Sequence, residues 1–398
     1  AKIVYSSVAN DLAEFEIKGV EDGERYTLDP EGSNAVTLEF RHTPGHTPES
    51  MCIVVYEHAD DIDNGTAPKG VATGDTLFIG DVGRPDLLAS IGFTREELAE
   101  QLYDSLHSKL MTLPDATEVW PAHGAGSACG KNLSTELTST MGEQKETNYA
   151  LRAPDKETFM ALVTEGQPPA PGYFVYDAIL NRKERDLLDE EALPESMSFE
   201  QVQEALADGA LLIDGRTPEE FAQGHLRQAI NVGLEGRYAE FAGSIVPSDV
   251  DIVLVTDPGF ELEGKNRLGR IGFDRVVGTV ADPLAVLATA EADAQPASRL
   301  TASDFADRQR ELDDVQVVDV RNVGETALGT IPDAVNIPVG QLPERVGELD
   351  PERPTVVYCA GGYRSSVAAS LLRAQGFDDV SDILVGDGAW IQLEAAGA

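Results

Sequence analysis

Cysteine is nearly absent from the chain. Its 398 residues include three, Cys52, Cys129 and Cys359. No two are spaced as a zinc knuckle or a paired redox motif. That excludes a disulfide framework and fits a reducing cytoplasm, which a working thiol needs. Positive charge is scarce too: Lys and Arg total 30 against 70 Asp and Glu, a formal net charge of -40. Nucleic acid and anionic membranes both need a basic face, so neither is expected as a partner. The acids are spread along the whole chain, and lysine is rare even beside arginine. Such a surface reads as an adaptation to molar salt, and so as a halophilic source. No apolar run approaches a membrane span and no signal peptide is visible. A hydrophobic content of 42% fits a globular protein, and the length suggests two to four domains, each with its own core.

The chemistry is densest at Cys359-Ala360-Gly361-Gly362-Tyr363-Arg364. Before it, the apolar run Thr355 to Tyr358 reads as a buried strand. After it, Val367, Ala368, Leu371 and Leu372 recur at helical spacing, and Gly376 marks a stop. A thiol on a glycine-bearing turn between strand and helix faces converging backbone N–H groups. It also faces the positive end of the helix, and both stabilise an anion on sulfur. Arg364 is placed to brace the loop or grip an anionic substrate. The stretch resembles the active loop of the rhodanese family, sulfurtransferases that carry sulfane sulfur as a cysteine persulfide. Related phosphatases have one more residue between cysteine and arginine, a wider cradle suited to phosphate. The resemblance implies that Cys359 is the catalytic nucleophile. It also implies that Gly361, Gly362, Tyr363 and Arg364 contact the substrate, a small-molecule persulfide, thiosulfate or thiol.

The N-terminal part alternates strand-like runs with turns, most clearly at Val36–Phe40 and Met51–Tyr56. Between these lies His42-Thr43-Pro44-Gly45-His46-Thr47. Ala72-Thr73-Gly74-Asp75-Thr76-Leu77 and Val119-Trp120-Pro121-Ala122-His123 follow. Each sets a His or Asp near a strand end, where loops can share one site. Two histidines and a carboxylate with open positions suit non-haem iron, and a wider set with a bridging carboxylate suits two zinc ions. The ordered trio resembles the metallo-β-lactamase fold. Gly80-Asp81-Val82-Gly83-Arg84-Pro85-Asp86 is closest to its persulfide dioxygenase branch, near the thioester hydrolases called glyoxalase II. The resemblance implies iron ligands at His46 and Asp75, a second-metal position at His123, and a substrate-holding or site-shaping role for Arg84. His42 is expected to order its loop.

The family's His-x-His-x-Asp-His cluster is missing, and the match begins partway into the domain. A domain incomplete at its N-terminus is therefore expected. Iron binding is weak or absent unless upstream residues complete the site, and a sheet edge is left for a swapped or partner strand, as in a homo-oligomer. Further on, Thr94–Leu110 reads as one helix opened by a Thr94/Glu97 capping box, with Leu98, Leu102, Leu106 and Leu110 along its core face.

Thr164–Gly172 is too rich in proline and glycine for a helix or central strand and reads as a strap or linker. The acidic stretch Arg182–Glu195 leads into a new domain. Beyond it the chain repeats itself. Leu211-Leu212-Ile213-Asp214-Gly215-Arg216 with Gly224 to Val232 parallels Val317-Val318-Asp319-Val320-Arg321 with Gly329 to Ile337. The spacing from Asp to Asn, Asp214 to Asn231 and Asp319 to Asn336, is identical. Each copy runs on through a strand, a helix ending in Gly-Phe (Gly272-Phe273, Gly376-Phe377) and another strand, the pattern of a mostly parallel sheet. The pair resembles a duplicated rhodanese domain. The first copy has Thr256-Asp257-Pro258-Gly259-Phe260 where the second has Cys359, so it forms no persulfide there. Asp319 and Arg321 are expected to hold adjacent loops by ion pairing. Glu291–Ser298 is expected to be the joint between copies, Asp387-Gly388 a loop facing the active turn, and Trp390 a packing residue.

The fold class that follows is α/β multidomain: a partial metallo-β-lactamase-like αββα domain followed by two rhodanese-like α/β domains with parallel sheets. The boundaries are residues 1–190, 191–292 and 297–398. The whole resembles the fused persulfide dioxygenase–sulfurtransferases of sulfide detoxification, with non-haem Fe(II) as cofactor and zinc as the alternative. Two other functions fit the residues: a glyoxalase II-like metal-dependent thioester hydrolase with rhodanese appendages, and a non-catalytic sulfur carrier or scaffold with a vestigial metal domain.

Overall fold

A computed structural model describes residues 2–384 except 33–34, 59–60, 88–91, 126, 128, 132, 168–170, 281, 291, 313 and 328. Asp387, Gly388 and Trp390 lie outside the described residues. The chain divides into two compact units, Ala1–Ala170 with Ala178–Arg185, and Pro171–Asp177 with Asp186–Ala398.

The first unit is built on a six-stranded sheet. Its strands, in spatial and chain order, are Arg25–Leu28, Val36–His42, Met51–Tyr56, Gly70–Gly74, Glu118–Pro121 and Ser139–Thr140. Neighbours pair antiparallel except Gly70–Gly74 with Glu118–Pro121, which are parallel. A parallel pair needs a crossover, and the helix Arg95–Ser105 lies within it. Thr94 and Glu97 close the expected capping box. The helix continues through a wider π turn over Leu106–Leu110, and Leu98, Leu102, Leu106 and Leu110 are all fully buried. The register has a consequence for the site. Val36–His42, Gly70–Gly74 and Glu118–Pro121 all run in one direction, so their carboxyl ends lie at one end of the sheet. The loops bearing His46, Asp75 and His123 follow those ends.

The second unit holds two five-stranded all-parallel sheets of the same plan. One orders its strands Ile230–Asn231, Leu211–Asp214, Ile252–Val255, Val276–Val280 and Ser196–Met197. The other orders them Val335–Asn336, Gln316–Asp319, Thr355–Tyr358, Val380–Ile383 and Ser298–Leu300. The central strands Ile252–Val255 and Thr355–Tyr358 are buried at every position, as expected of strands covered on both faces. The repeat read from sequence is thus a repeat of structure. In each copy the Asp–Arg pair is bidentate and buried, Asp214 with Arg216 and Asp319 with Arg321. The arginine then donates to Gly224 O or Gly329 O, and the Asn231 or Asn336 amide bridges two carbonyls of the Asp–Arg turn.

Two details differ from expectation. The stretch taken as a joint is tied down: Ala294–Gln295 pairs antiparallel with His225–Leu226, and Ser298 already opens the second sheet. Backbone hydrogen bonding, invisible in its mixed polar composition, makes it structure. A helix at Tyr173–Leu180 also follows the proline-rich stretch. Its Tyr173 sits where a side chain on Gly243 would be, so glycine there makes room for an aromatic anchor. The two copies share one apolar core, in which Phe241, Ile245 and Ile271 of the first join Val357, Val367 and Leu371 of the second.

Candidate functional site

The Thr355–Tyr358 strand ends at Cys359, and the helix Tyr363–Ala374 begins four residues later. Gly362 caps that helix in the left-handed region, φ 83°. A side chain there would be strained, so glycine is the fitting residue. The turn aims the Gly362 amide at sulfur, with N to Cys359 Sγ 3.1 Å. Among the described residues this is the one backbone N–H that donates to Sγ, fewer than the converging set expected. The reason is depth: Cys359 is 1% exposed, at the floor of the turn, while Ala360 and Gly361 are exposed above it. Gly361 has no positive φ, and a side chain there would meet open space.

The structure gives two of the loop's side chains internal partners. Tyr363 turns away from the thiol; its hydroxyl donates to Gly233 O of the first copy at 2.6 Å, and its ring lies against Phe241. Its place at the start of the helix, on the side facing the first copy, decides this. Arg364 grips an internal carboxylate, binding both oxygens of Glu325 at 2.6 and 2.8 Å while staying close to Cys359. It braces the loop, one of its two expected roles. Other partners have no sequence signature. Ser365 Oγ lies 3.6 Å from Sγ and 3.5 Å from Asp382 Oδ2. Arg299 ties Asp382 and Glu219 of the first copy to the carbonyl of Gly362. Burial pushes the Asp382 carboxyl above its usual range, with Arg299 opposing.

In the first copy Thr256 takes the place of Cys359. Its buried hydroxyl has no hydrogen-bond partner among the described residues. Asp257 beside it borders a cavity of about 650 Å³ with Arg216, Glu220 and Leu284.

In the first unit the three loops meet. His46 Nε2 lies 3.4 Å from Asp75 Oδ2, and His123 Nε2 lies 3.2 Å from Asp75 Oδ1. The second distance is that of an ion pair without hydrogen-bond alignment, and Asp75 Oδ1 is buried with no hydrogen bond among the described residues. Burial lowers the His46 pKa, with Asp75 opposing. Burial alone would raise Asp75, but His123 and His46 outweigh it and hold it below the usual range. His123 is raised to about 10 by Asp75, then by Cys129. Gly83 lies so close to the Asp75 carbonyl that a Cβ would fall 1.9 Å from it, so only glycine permits this approach.

Arg84 takes the second of its two expected roles. Its guanidinium is fully buried and bidentate on Asp86, at 2.6 and 2.8 Å, while its backbone carbonyl accepts from His46 Nδ1 at 3.0 Å. It shapes the site through its backbone. His42 Nε2 bonds Pro48 O at 2.9 Å and orders its loop, as expected. Sequence reading missed Cys129. Its sulfur, one atom of His46 and one of Asp75 lie within 4.8 Å of one another. The signal was there, a rare cysteine six residues after His123, but no spacing rule joins it to His46.

The fold and the loop after Thr355–Tyr358 define a protein of the sulfurtransferase type. The Rhodanese-like domain family matches residues 198–277 and 301–392. A sulfurtransferase of Allochromatium vinosum is 34% identical over 93 residues, which are 23% of this chain and 87% of that protein. The mitochondrial persulfide dioxygenase of Bos taurus is 36% identical over 86 residues, 22% of this chain and 27% of its length. The chain thus spans about a quarter of that relative. Among solved structures, a metallo-beta-lactamase from Staphylococcus aureus superposes with TM-score 0.60 and 28% identity, covering 70% of this chain and 77% of that one. The chain belongs to the rhodanese family, with two rhodanese-like domains joined to a metallo-β-lactamase fold, and its chemistry is that of sulfur metabolism.

Proposed function

We propose that the chain moves sulfane sulfur through a persulfide on Cys359. The thiolate attacks the outer sulfur of thiosulfate or of a small persulfide. A new S–S bond forms to Cys359, the donor's S–S bond breaks, and sulfite or a thiolate leaves with the electron pair. The outer sulfur, now anionic, extends from the floor of the turn toward the loop amides. An acceptor thiolate then attacks that outer sulfur and frees Cys359. The supporting observation is the Gly362 amide at 3.1 Å from Sγ. Glu325 holds Arg364 by both oxygens, next to Cys359. The test is the intact mass of the full chain after thiosulfate treatment. A species heavier by one sulfur, lost on adding a thiol and never formed by Cys359→Ser, supports the assignment. Equal loading of the variant overturns it.

The first unit is assigned a second reaction, oxidation of a low-molecular-weight persulfide to sulfite. The donors fit a metal ion: His46 Nε2 faces Asp75, and Asp75 has a buried oxygen with no hydrogen bond among the described residues. His46 and Asp75 would hold non-haem Fe(II), with His123 at their edge. Bound there, iron supplies dioxygen activation. His46 and Asp75 would hold the ion; His46 is buried, and its ring is fixed by Nδ1–H donating to Arg84 O. One observation favours a second reading: Asp75 sets one oxygen toward each histidine, as a bridging carboxylate between two zinc ions of a thioester hydrolase does. Metal analysis with oxygen uptake separates them. One iron with persulfide-dependent uptake supports the dioxygenase; two zinc ions with thioester cleavage support the hydrolase.

A further inference from the structure

The geometry points to Cys129 as a thiolate ligand of the metal site formed with His46 and Asp75. This rests on the reading that the first unit binds a metal ion, and adds to it the donor that sets the ion's character.

Three observations carry it. The first is convergence: one donor atom from each of His46, Asp75 and Cys129 lies within 4.8 Å of the others, inside reach of one ion after small side-chain rotations. The second is preparation of the partners. A carbonyl oxygen only accepts, so the Arg84 O contact puts the His46 proton on Nδ1. Nε2 is left with its lone pair facing Asp75. Asp75 Oδ1 is buried and accepts no hydrogen bond among the described residues; it meets His123 Nε2 at 3.2 Å only out of line, so its lone pairs stay open to an ion held between Asp75 and His46.

The third is that the cysteine is held in place by backbone bonds on both sides. Arg84 N donates to Cys129 O at 3.1 Å, and Cys129 N donates to Ser127 Oγ at 3.1 Å. Two residues on, Lys131 N donates to Asp81 Oδ2 at 2.7 Å. The other oxygen of this fully buried carboxylate accepts from Val82 N and Tyr149 OH. The segment from Asp81 to Arg84 thus grips the Cys129 loop with a side chain at Asp81 and a backbone amide at Arg84. The Arg84 carbonyl orients His46 at the same time. One short run of chain aligns two of the three donors.

A Cys/His/Asp set differs chemically from one of nitrogen and oxygen alone. The thiol gives its proton to solvent on binding, and the thiolate draws the site toward thiophilic divalent ions, zinc or its spectroscopic stand-in cobalt.

The probe is Co(II) titrated into the full chain under anaerobic conditions. One thiolate-to-cobalt charge-transfer band in the near ultraviolet, saturating with the visible d–d bands, is expected. It should persist in Cys52→Ser/Cys359→Ser, where Cys129 is the sole cysteine of the 398 residues. It should vanish in Cys129→Ser, with cobalt affinity falling roughly tenfold or more. Visible bands with no charge-transfer band in the double variant overturn the Cys129 assignment and leave the metal site standing. No visible bands at all overturn the metal site itself. The double variant reads out Cys129 without altering its loop, so the test holds even where Cys129→Ser fails to fold.

Discussion

The hydroxyl of Tyr363, the first residue of the helix after the active turn, donates to the carbonyl of Gly233 in the cysteine-less copy at 2.6 Å. The bond is not isolated. Gly236 is a glycine because a side chain there would fall on the Tyr363 ring, and Ser366 and Ser370 bond the side chain and backbone of Asn231. The copy without a thiol therefore holds the helix whose first turn aims an amide at sulfur.

Tyr363→Phe removes that donor and leaves the Gly233 carbonyl with the longer bond from Gly236 N alone. Stability should fall by about 0.5–1.5 kcal/mol, read from urea unfolding of the full chain. Sulfur loading of Cys359 should persist at saturating donor. A wholly inactive but stable variant would return Tyr363 to the substrate-contacting role expected from sequence.

Cys359→Ser should end sulfur transfer with the circular dichroism spectrum unchanged, because serine replaces sulfur in place. Transfer at an undiminished rate would mean another thiol carries the sulfur.

Gly362→Ala should cost about 1–2 kcal/mol, because φ is 83° and alanine is strained there. The new Cβ would also meet the Arg299 guanidinium at 3.3 Å. Since this residue's N–H is the one on Sγ, transfer should slow by on the order of tenfold. Stopped-flow persulfide formation checks it; loss of stability with an unchanged rate would detach the amide from the chemistry.

Asp75→Ala should lower the metal content of the purified chain and leave thiosulfate loading of Cys359 as it was. Elemental analysis beside intact mass gives both readings. Unchanged metal content would remove Asp75 from the ligand set.

His225 gives a pH dependence with a definite sign. It is stacked on Phe221, with Nδ1 on Phe221 O. Burial drives its pKa from the ordinary 6.5 to about 4. Above 6.5 both folded and unfolded chains hold it neutral, so it has no effect. As pH falls from 6.5 toward 4 the unfolded chain takes up a proton that the folded one refuses, and stability is lost. The loss is at most about 3 kcal/mol. His225→Gln should flatten this slope, measured as urea midpoints at pH 7 and at pH 4.5; an equal slope in the variant would show that other groups carry it.

The leucine stripe from Leu98 to Leu110, the Thr94 cap, the central strands and the duplicated Asp–Arg–Asn brace were all legible in the sequence. Each is written in local spacing, where a helical or strand period or a fixed offset dictates the contact. The active turn was legible for the same reason, since Cys359 and Gly362 sit within one turn of chain. The strand at Ala294–Gln295, inside the stretch read as a joint, was not, because its pairing partner lies at His225–Leu226.

Sequence alone thus determined the main strands and helices, that residues 191–398 repeat, and that a cysteine sits where a strand meets a helix. Tertiary structure decided which way each side chain turned: Tyr363 to Gly233, Arg364 to Glu325, Arg84 to Asp86, and Cys129 to His46 and Asp75. The reason is that these partners are joined by packing between distant segments. A side chain's direction there depends on which surfaces the folded sheets bring together, and no spacing along one stretch of chain encodes that.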